Sequence, residues 1–377
     1  MAGIYIHIPF CRQACNYCNF HFSTSLHKKD AFLIALKNEI AQQNDFISSA
    51  EKIETIYFGG GTPSLLKTHE LDELLTVLHA RFSIDTNAEI TLEANPDDIN
   101  QIIIKEWMNA GINRLSLGIQ SFDDEELKWM NRAHHANQAL QSIDDIQEAG
   151  IQNFSVDLIF GGPLLSNKML EKNIGIIAEK NIPHISAYAL TVEEKTALHQ
   201  FIKTKKSPPV NTEKQAEQFL LTMKLLAEAG YEHYEISNYA KPGMRSKHNS
   251  SYWKGKAYYG FGPSAHSFNG INKRRWNISN NTFYISQWSE KESSFEEELL
   301  SETQQLNEYI MTSLRTMEGI NLEKISKSFG KEKAQVILTE AHKYLLTGKT
   351  TMHSGCIKLT NEGKLFADGI SADLFFD

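Results

Sequence analysis

The sequence contains no long apolar run. No segment approaches the ~18 to 20 consecutive apolar residues that a membrane-spanning helix requires. The opening MAGIYIHIPFC has no basic stretch ahead of an apolar one, so no export signal is expected. Positive charge is not in excess: 38 Lys and Arg against 46 Asp and Glu give a net charge of −8. That argues against a general nucleic-acid or anionic-membrane binder, which depends on a positive field. Cysteine is sparse, four in 377 residues, with Cys356 far from the other three. These absences point to a cytoplasmic protein. In a reducing compartment, a cysteine cluster reads as a metal or redox site before a disulfide framework.

What is present begins with that cluster. Cys11, Cys15 and Cys18 follow a short apolar stretch as C-x3-C-x2-C, a loop that can set three thiolates on one face. Iron–sulfur clusters take thiolates, and a four-iron cluster ordinarily takes four. Three would leave one iron with an open position. The competing reading is a structural zinc site completed by His7 or His21.

Six strand candidates alternate with amphipathic helical stretches: 3–8, 55–59, 89–94, 114–119, 154–161 and 184–190. Helices are expected over 30–43 and 65–82. Gly111, Gly150 and Gly230 each end a helix at Ala-Gly and suit a left-handed cap. Serial βα units imply a parallel sheet, because parallel neighbours need crossover helices. The expectation is an α/β partial (β/α)6 barrel, with an open doubly wound sheet as the alternative. Either puts the site at the strands' C-terminal ends, where Gly59-Gly60-Gly61-Thr62, Glu93, Gln120 and Asp157 fall. The glycines would let backbone approach a ligand and offer its amides, and Thr62 would cap a helix beginning at Pro63.

The barrel is expected to reach about residue 202, followed after the break KTKKSPPV by an aromatic-rich extension, 211–285. Residues 286–377 read as a helical, winged-helix-like domain ending in a hairpin over 356–367. Its acidic lead-in FEEELLSE argues for packing rather than DNA binding.

The cysteine motif, placed after a first strand and with Tyr17 before its last cysteine, resembles the radical S-adenosylmethionine superfamily. The resemblance implies a [4Fe-4S] cluster on Cys11, Cys15 and Cys18, with S-adenosylmethionine chelating the open iron. It places Tyr5, Tyr17, Gly60, Gly61, Thr62, Glu93, Gln120, Arg132, Asp157 and Ala189 around that cofactor, some of them lining a second nucleotide or substrate pocket. The stretches IYIHIPFC, GGGTPS, NRLSLGIQSF, MNRAHH, DLIFGGP, YGFGPSAHSF and LRTMEGIN are similar to the oxygen-independent coproporphyrinogen III oxidases and their relatives, the HemW-type haem chaperones. Two features separate the branches. The oxidases carry a further cysteine two positions after the third, where this sequence has Phe20, and a longer arm before the first strand. HNSSYW, 248–253, is similar to the haem-associated motif of the chaperones. The resemblance implies haem contacts from His248, Asn249, Tyr252 and Trp253, with Arg245, Lys247 and Lys254 toward propionates. His134, His135 and His266 are the alternatives. The function implied is transfer of haem to an acceptor protein, with the oxidase activity as the rival. Dimerisation and peripheral membrane association are left open.

Overall fold

The computed structural model describes residues 1–43, 46–290 and 295–377. Six strands run in sequence order: β1 (Ala2–Ile8), β2 (Ile53–Gly60), β3 (Ile84–Ala94), β4 (Arg114–Gln120), β5 (Phe154–Phe160) and β6 (His184–Ala189). Each pairs in parallel with the next. A doubly wound sheet would reverse its order midway. This one does not, so its crossover helices share one face and the sheet curls into an open barrel.

Period-two alternation decides what each face carries. Ile4, Ile6 and Ile8 of β1 and Leu115, Leu117 and Ile119 of β4 are fully buried in the helix-side core. The residues between them face the lumen, and they are polar: Tyr5 and His7, Thr55 and Tyr57, Glu89 and Glu93, Arg114 and Gln120, Asp157, His184 and Ser186. The lumen is therefore a lined site rather than a packed core.

Both edges are extended. On one side β6 pairs antiparallel with β8 (Asn238–Ala240), which pairs with β7 (Glu232–Glu235). On the other, β9 (Ala257–Phe261) lies parallel to β1 and leads to β10 (His266–Phe268), β11 (Lys273–Trp276) and β12 (Glu296–Leu299). The result is one twelve-stranded sheet.

Two boundaries differ from expectation. The helix Asn281–Glu290 runs across residue 286 and buries Tyr284 and Trp288 in the barrel's core, and β12 extends the main sheet. The change of core falls near residue 300, with the second core built from Leu306 to Leu374. That domain has helices Glu302–Leu314, Leu322–Phe329 and Lys331–Leu346, then a sheet of β13 (Ile320–Asn321), β14 (Thr350–His353) and β15 (Cys356–Leu359). Its hairpin is β14–β15 rather than 356–367, because Ser354 and Gly355 both take positive φ and form the two-residue turn that matches strand twist. Among the described residues no helix is long and apolar enough to cross a membrane.

Candidate functional site

The cysteine loop leaves the C-terminal end of β1 and is tied to the turn at 129–132. The Asn16 amide donates to the Met130 carbonyl, the Asn16 side chain to the Trp129 carbonyl, and the Asn131 side chain to the Ala14 carbonyl at 2.7 Å. Tyr17 packs with Met130, Ile159, Leu190 and Leu198. The loop thus holds its shape through the chain it rests on.

The three thiols are half-buried and close enough to affect one another. Burial pushes the Cys11 thiol up, and the Thr62 hydroxyl bonded to it and the Arg132 charge pull it back. Burial also pushes Cys18 up to about 11, opposed by the Phe20 amide, which donates to its sulfur. Cationic iron would deprotonate such thiols outright. Among the described residues no three His, Cys, Asp or Glu gather tightly enough for a single ion. The expected zinc completers are occupied. His7 Nε2 donates to the His21 carbonyl at 2.8 Å, and its Nδ1 is hydrogen-bonded to the Tyr5 hydroxyl at 3.2 Å. His21 Nε2 lies 2.6 Å from the Asn281 carboxamide oxygen. This donor set fits a sulfide-bridged cluster, which holds its thiolates apart, better than a zinc ion.

Around the thiols the lumen supplies charge. Arg132 donates to Cys15 Sγ at 3.2 Å, to the Asn95 carboxamide at 2.7 Å and to the Gly118 carbonyl at 2.6 Å. Its Nε is buried without an acceptor among the described residues, an unmet donor that suits a ligand's carboxylate. Glu93 accepts from the Tyr57 hydroxyl at 2.8 Å and the Gly60 amide at 3.1 Å. Burial pushes Glu93 up to about 7 against those two bonds, and Asp157 adds to the rise. Asp157 is pushed up to about 6 by burial, with the Ser186 bond, Arg132 and Arg114 opposing. Two weakly acidic carboxyls and one unmet guanidinium donor thus share a lumen.

The Gly-rich segment works differently from the expectation. Its amides are taken: Gly60 N–H by Glu93, Gly61 N–H by the Ile8 carbonyl and Thr62 N–H by the Phe10 carbonyl. Glycine is needed for close packing on β1. A Cβ on Gly60, whose φ is +108°, would lie 2.5 Å from the His7 ring, and one on Gly61 2.6 Å from the Phe10 carbonyl. Thr62 makes no side-chain cap, and the element after it is a single 3-10 turn, Pro63–Leu65. Gln120 holds a left-handed φ of 70° beside a register shift, a strained conformation of the kind that gathers at ligand sites. Ala189 is exposed at the end of β6. Tyr57 and Asn95 were missed. Tyr57 shares β2 with the Gly-rich turn and pairs with Tyr5 in register, so period-two alternation could have found it.

The largest departure concerns His248. It sits on the helix Lys247–Trp253, whose first amides donate to Glu89 at 3.2 and 3.0 Å. The helix lies across the N-terminal ends of β1 and β2. His248 and Tyr252, four apart, share a face and enter the lumen. His248 is 1% exposed. Its Nδ1 is hydrogen-bonded to Thr55 at 2.8 Å and its Nε2 to the Tyr252 hydroxyl at 3.0 Å. Its ring stacks on Tyr57 at 4.9 Å, and burial lowers its pKa to about 3. Both ring nitrogens are engaged, so the ring, held by Tyr252, braces the helix against β2. Lys247, Trp253 and Lys254 face away from the lumen, with Arg245, onto a cavity. The Asn249 side chain is half-buried. His134 is buried and bonded to the Ile119 carbonyl, His135 starts a helix, and His266 is exposed and stacked on Trp276.

Comparison with known proteins adds the family. The profile of the radical SAM superfamily matches residues 5–177, and that of the HemN C-terminal domain matches 300–366. A "Heme chaperone HemW" from Bacillus subtilis is 32% identical over 375 residues, 98% of each chain. One from Escherichia coli is 36% identical over 271 residues, 70% of this chain and 69% of that one. Among solved structures, the E. coli coproporphyrinogen III oxidase HemN superposes with a TM-score of 0.85 at 22% identity, over 99% of this chain and 90% of that one. The last likeness establishes the fold.

Proposed function

We propose, starting from the fact that the chain belongs to the HemW family of haem chaperones within the radical SAM superfamily, that it carries haem and passes it to an acceptor protein. What carries this reading is the relationship along the whole length: two HemW chaperones at 32% and 36% identity, one of them over 98% of both chains. A second observation supports it. The position where the oxidases have a further cysteine is Phe20, 67% exposed, whose amide donates to Cys18.

In this reading Cys11, Cys15 and Cys18 would hold a [4Fe-4S] cluster, with S-adenosylmethionine bound beside it. When bound, that cluster would supply an electron to the cofactor's sulfonium. The protein's residues hold and orient. Arg132 spans Cys15, Asn95 and Gly118 and keeps Nε for the cofactor's carboxylate. Glu93, set by Tyr57 and Gly60, would accept from its amino group. Tyr5, Tyr17, Gly61, Thr62, Gln120, Asp157 and Ala189 shape the surrounding wall. His248 is assigned to positioning. It links the floor helix to Tyr57, whose hydroxyl bonds Glu93, so the cofactor end and the haem end of the barrel share contacts. Three reduced thiols suit a cytoplasmic location.

The test is an anaerobic incubation of reconstituted protein with coproporphyrinogen III, S-adenosylmethionine and a reductant, beside a haem-binding assay. Haem binding without vinyl products at a catalytic rate is expected. Catalytic formation of protoporphyrinogen IX would replace this reading with the oxidase one.

A further inference from the structure

A cavity of about 830 Å³ lies at the end of the barrel opposite the cysteines, within the ~300–1,000 Å³ usual for small-molecule sites. Its roof is the outer face of the helix Lys247–Trp253 with the first residues of β1 and β2. Its floor is the C-terminal domain, contributing Tyr309, Lys324, Cys356 and Lys358. Neither half encloses it alone.

The wall carries six cationic and three acidic side chains, in a protein whose net charge is −8. The acids are already engaged. Glu54 pairs with Lys256 at 2.7 Å, Glu318 with Arg245 at 3.0 Å, and Asp85 lies 3.9 Å from Lys52. Lys247, Lys254, Lys324 and Lys358 have no carboxylate partner among the described residues. Like charges facing one volume repel, and an anionic ligand relieves them. The Lys324 ammonium lies 4.4 Å over the Tyr309 ring, and burial lowers its pKa. Trp253 adds a broad apolar plane, with the Arg315 guanidinium 5.7 Å from its centroid. Cys356 is the one thiol, thioether or imidazole among the lining residues.

Unpaired ammonium groups beside aromatic planes select a flat, largely apolar molecule that bears carboxylates. Resting on the haem-carrying reading above, we propose that this cavity seats haem, its propionates on the unpaired lysines and its macrocycle against Trp253 and Tyr309. Cys356 is then the soft donor on the wall nearest an iron. This explains why the HNSSYW helix turns His248 inward: its outward face, with Lys247, Lys254 and Trp253, meets the ligand.

The test is a haem titration of the full reconstituted chain and of the Lys254→Glu/Lys358→Glu double variant, with the rate of Cys356 alkylation mapped by peptide mass with and without haem. The expected result is haem affinity lowered ~tenfold or more by the double variant, S-adenosylmethionine affinity unchanged, and Cys356 alkylation slowed at least ~fivefold by haem. If the charge reversals disturb folding, the Lys254→Gln/Lys358→Gln pair and the alkylation rate read the same site. Haem binding by the native chain that ignores these substitutions and leaves Cys356 equally reactive would overturn the site while sparing the function. A native chain that binds no haem would overturn both.

Discussion

The proposed contact of Glu93 with S-adenosylmethionine predicts a pH dependence of cofactor binding whose direction follows from burial of the carboxyl. If Glu93 accepts from the cofactor's iron-bound amino group, it does so best as carboxylate, yet burial holds its pKa up at about 7. The ionised fraction then climbs from ~0.1 at pH 6 to ~0.9 at pH 8, so affinity should rise at least ~tenfold over that interval, and with the cofactor's α-amino group also losing its proton to iron about two protons are released per cofactor bound near pH 6. For the cofactor-free protein the sign is opposite. A carboxyl with a raised folded pKa contributes stability in full below its unfolded value near 4.5 and loses it as pH rises through 7. Cofactor binding offsets that loss. Tyr57→Phe removes one of the two donors that hold the carboxylate. A hydrogen bond to a charged group contributes ~1.5–3 kcal/mol, which at 1.36 kcal/mol per unit moves the midpoint up by ~1–2 units. At pH 7.5 the variant should bind ~3- to 25-fold weaker and recover toward pH 9. Calorimetric titration of the reconstituted protein in buffers of different ionisation enthalpy measures affinity and proton release together. A flat affinity from pH 6 to 8, or a Tyr57→Phe profile superimposed on the native one, would refute the role given to Glu93.

Other outcomes follow from the same contacts. Arg132→Met removes the cation beside Cys15 and leaves Asn95 and the Gly118 carbonyl without their donor. Stability should fall by ~3–5 kcal/mol in denaturant titrations, and the chain should retain less iron after reconstitution. Gly60→Ala combines a left-handed φ with a contact on the fixed His7 ring, so a loss of ~2–4 kcal/mol is expected in the same experiment. Phe20→Ala truncates an exposed side chain and should shift stability by less than ~0.5 kcal/mol with iron content unchanged. Because Tyr57 bonds Glu93 and stacks on His248, S-adenosylmethionine should change haem affinity, and haem should change S-adenosylmethionine affinity by the same factor. Equal affinities with and without the second ligand would remove that coupling.

The six strands were legible because each is a short run with its apolar residues on one face. The strand-end residues followed, since their place is set by topology. The cysteine loop was legible because its spacing is local. The reading missed at points where distant chain decides. Nothing within 248–253 says which face of that helix meets the lumen. Thr55, Glu89 and Tyr57 settle it from strands far earlier. The cavity beneath it was invisible for the same reason, because residues near 250 and near 356 build it together. The Gly-rich turn misled because glycine admits either ligand or chain, and here the approaching groups are the Ile8 and Phe10 carbonyls. The hairpin was missed although Ser354-Gly355 carried its signal.

Three thiolates holding a four-iron cluster, with one iron left for a small ligand, are the premise of the proposed function. Iron and sulfide analysis of anaerobically reconstituted protein, with electron paramagnetic resonance of the reduced form before and after addition of S-adenosylmethionine, tests this directly. About four irons and four sulfides per chain are predicted, lost in Cys11→Ser, Cys15→Ser or Cys18→Ser, with a spectrum that changes when S-adenosylmethionine is added. Zinc in place of iron, or a cluster whose spectrum is indifferent to S-adenosylmethionine, would contradict it.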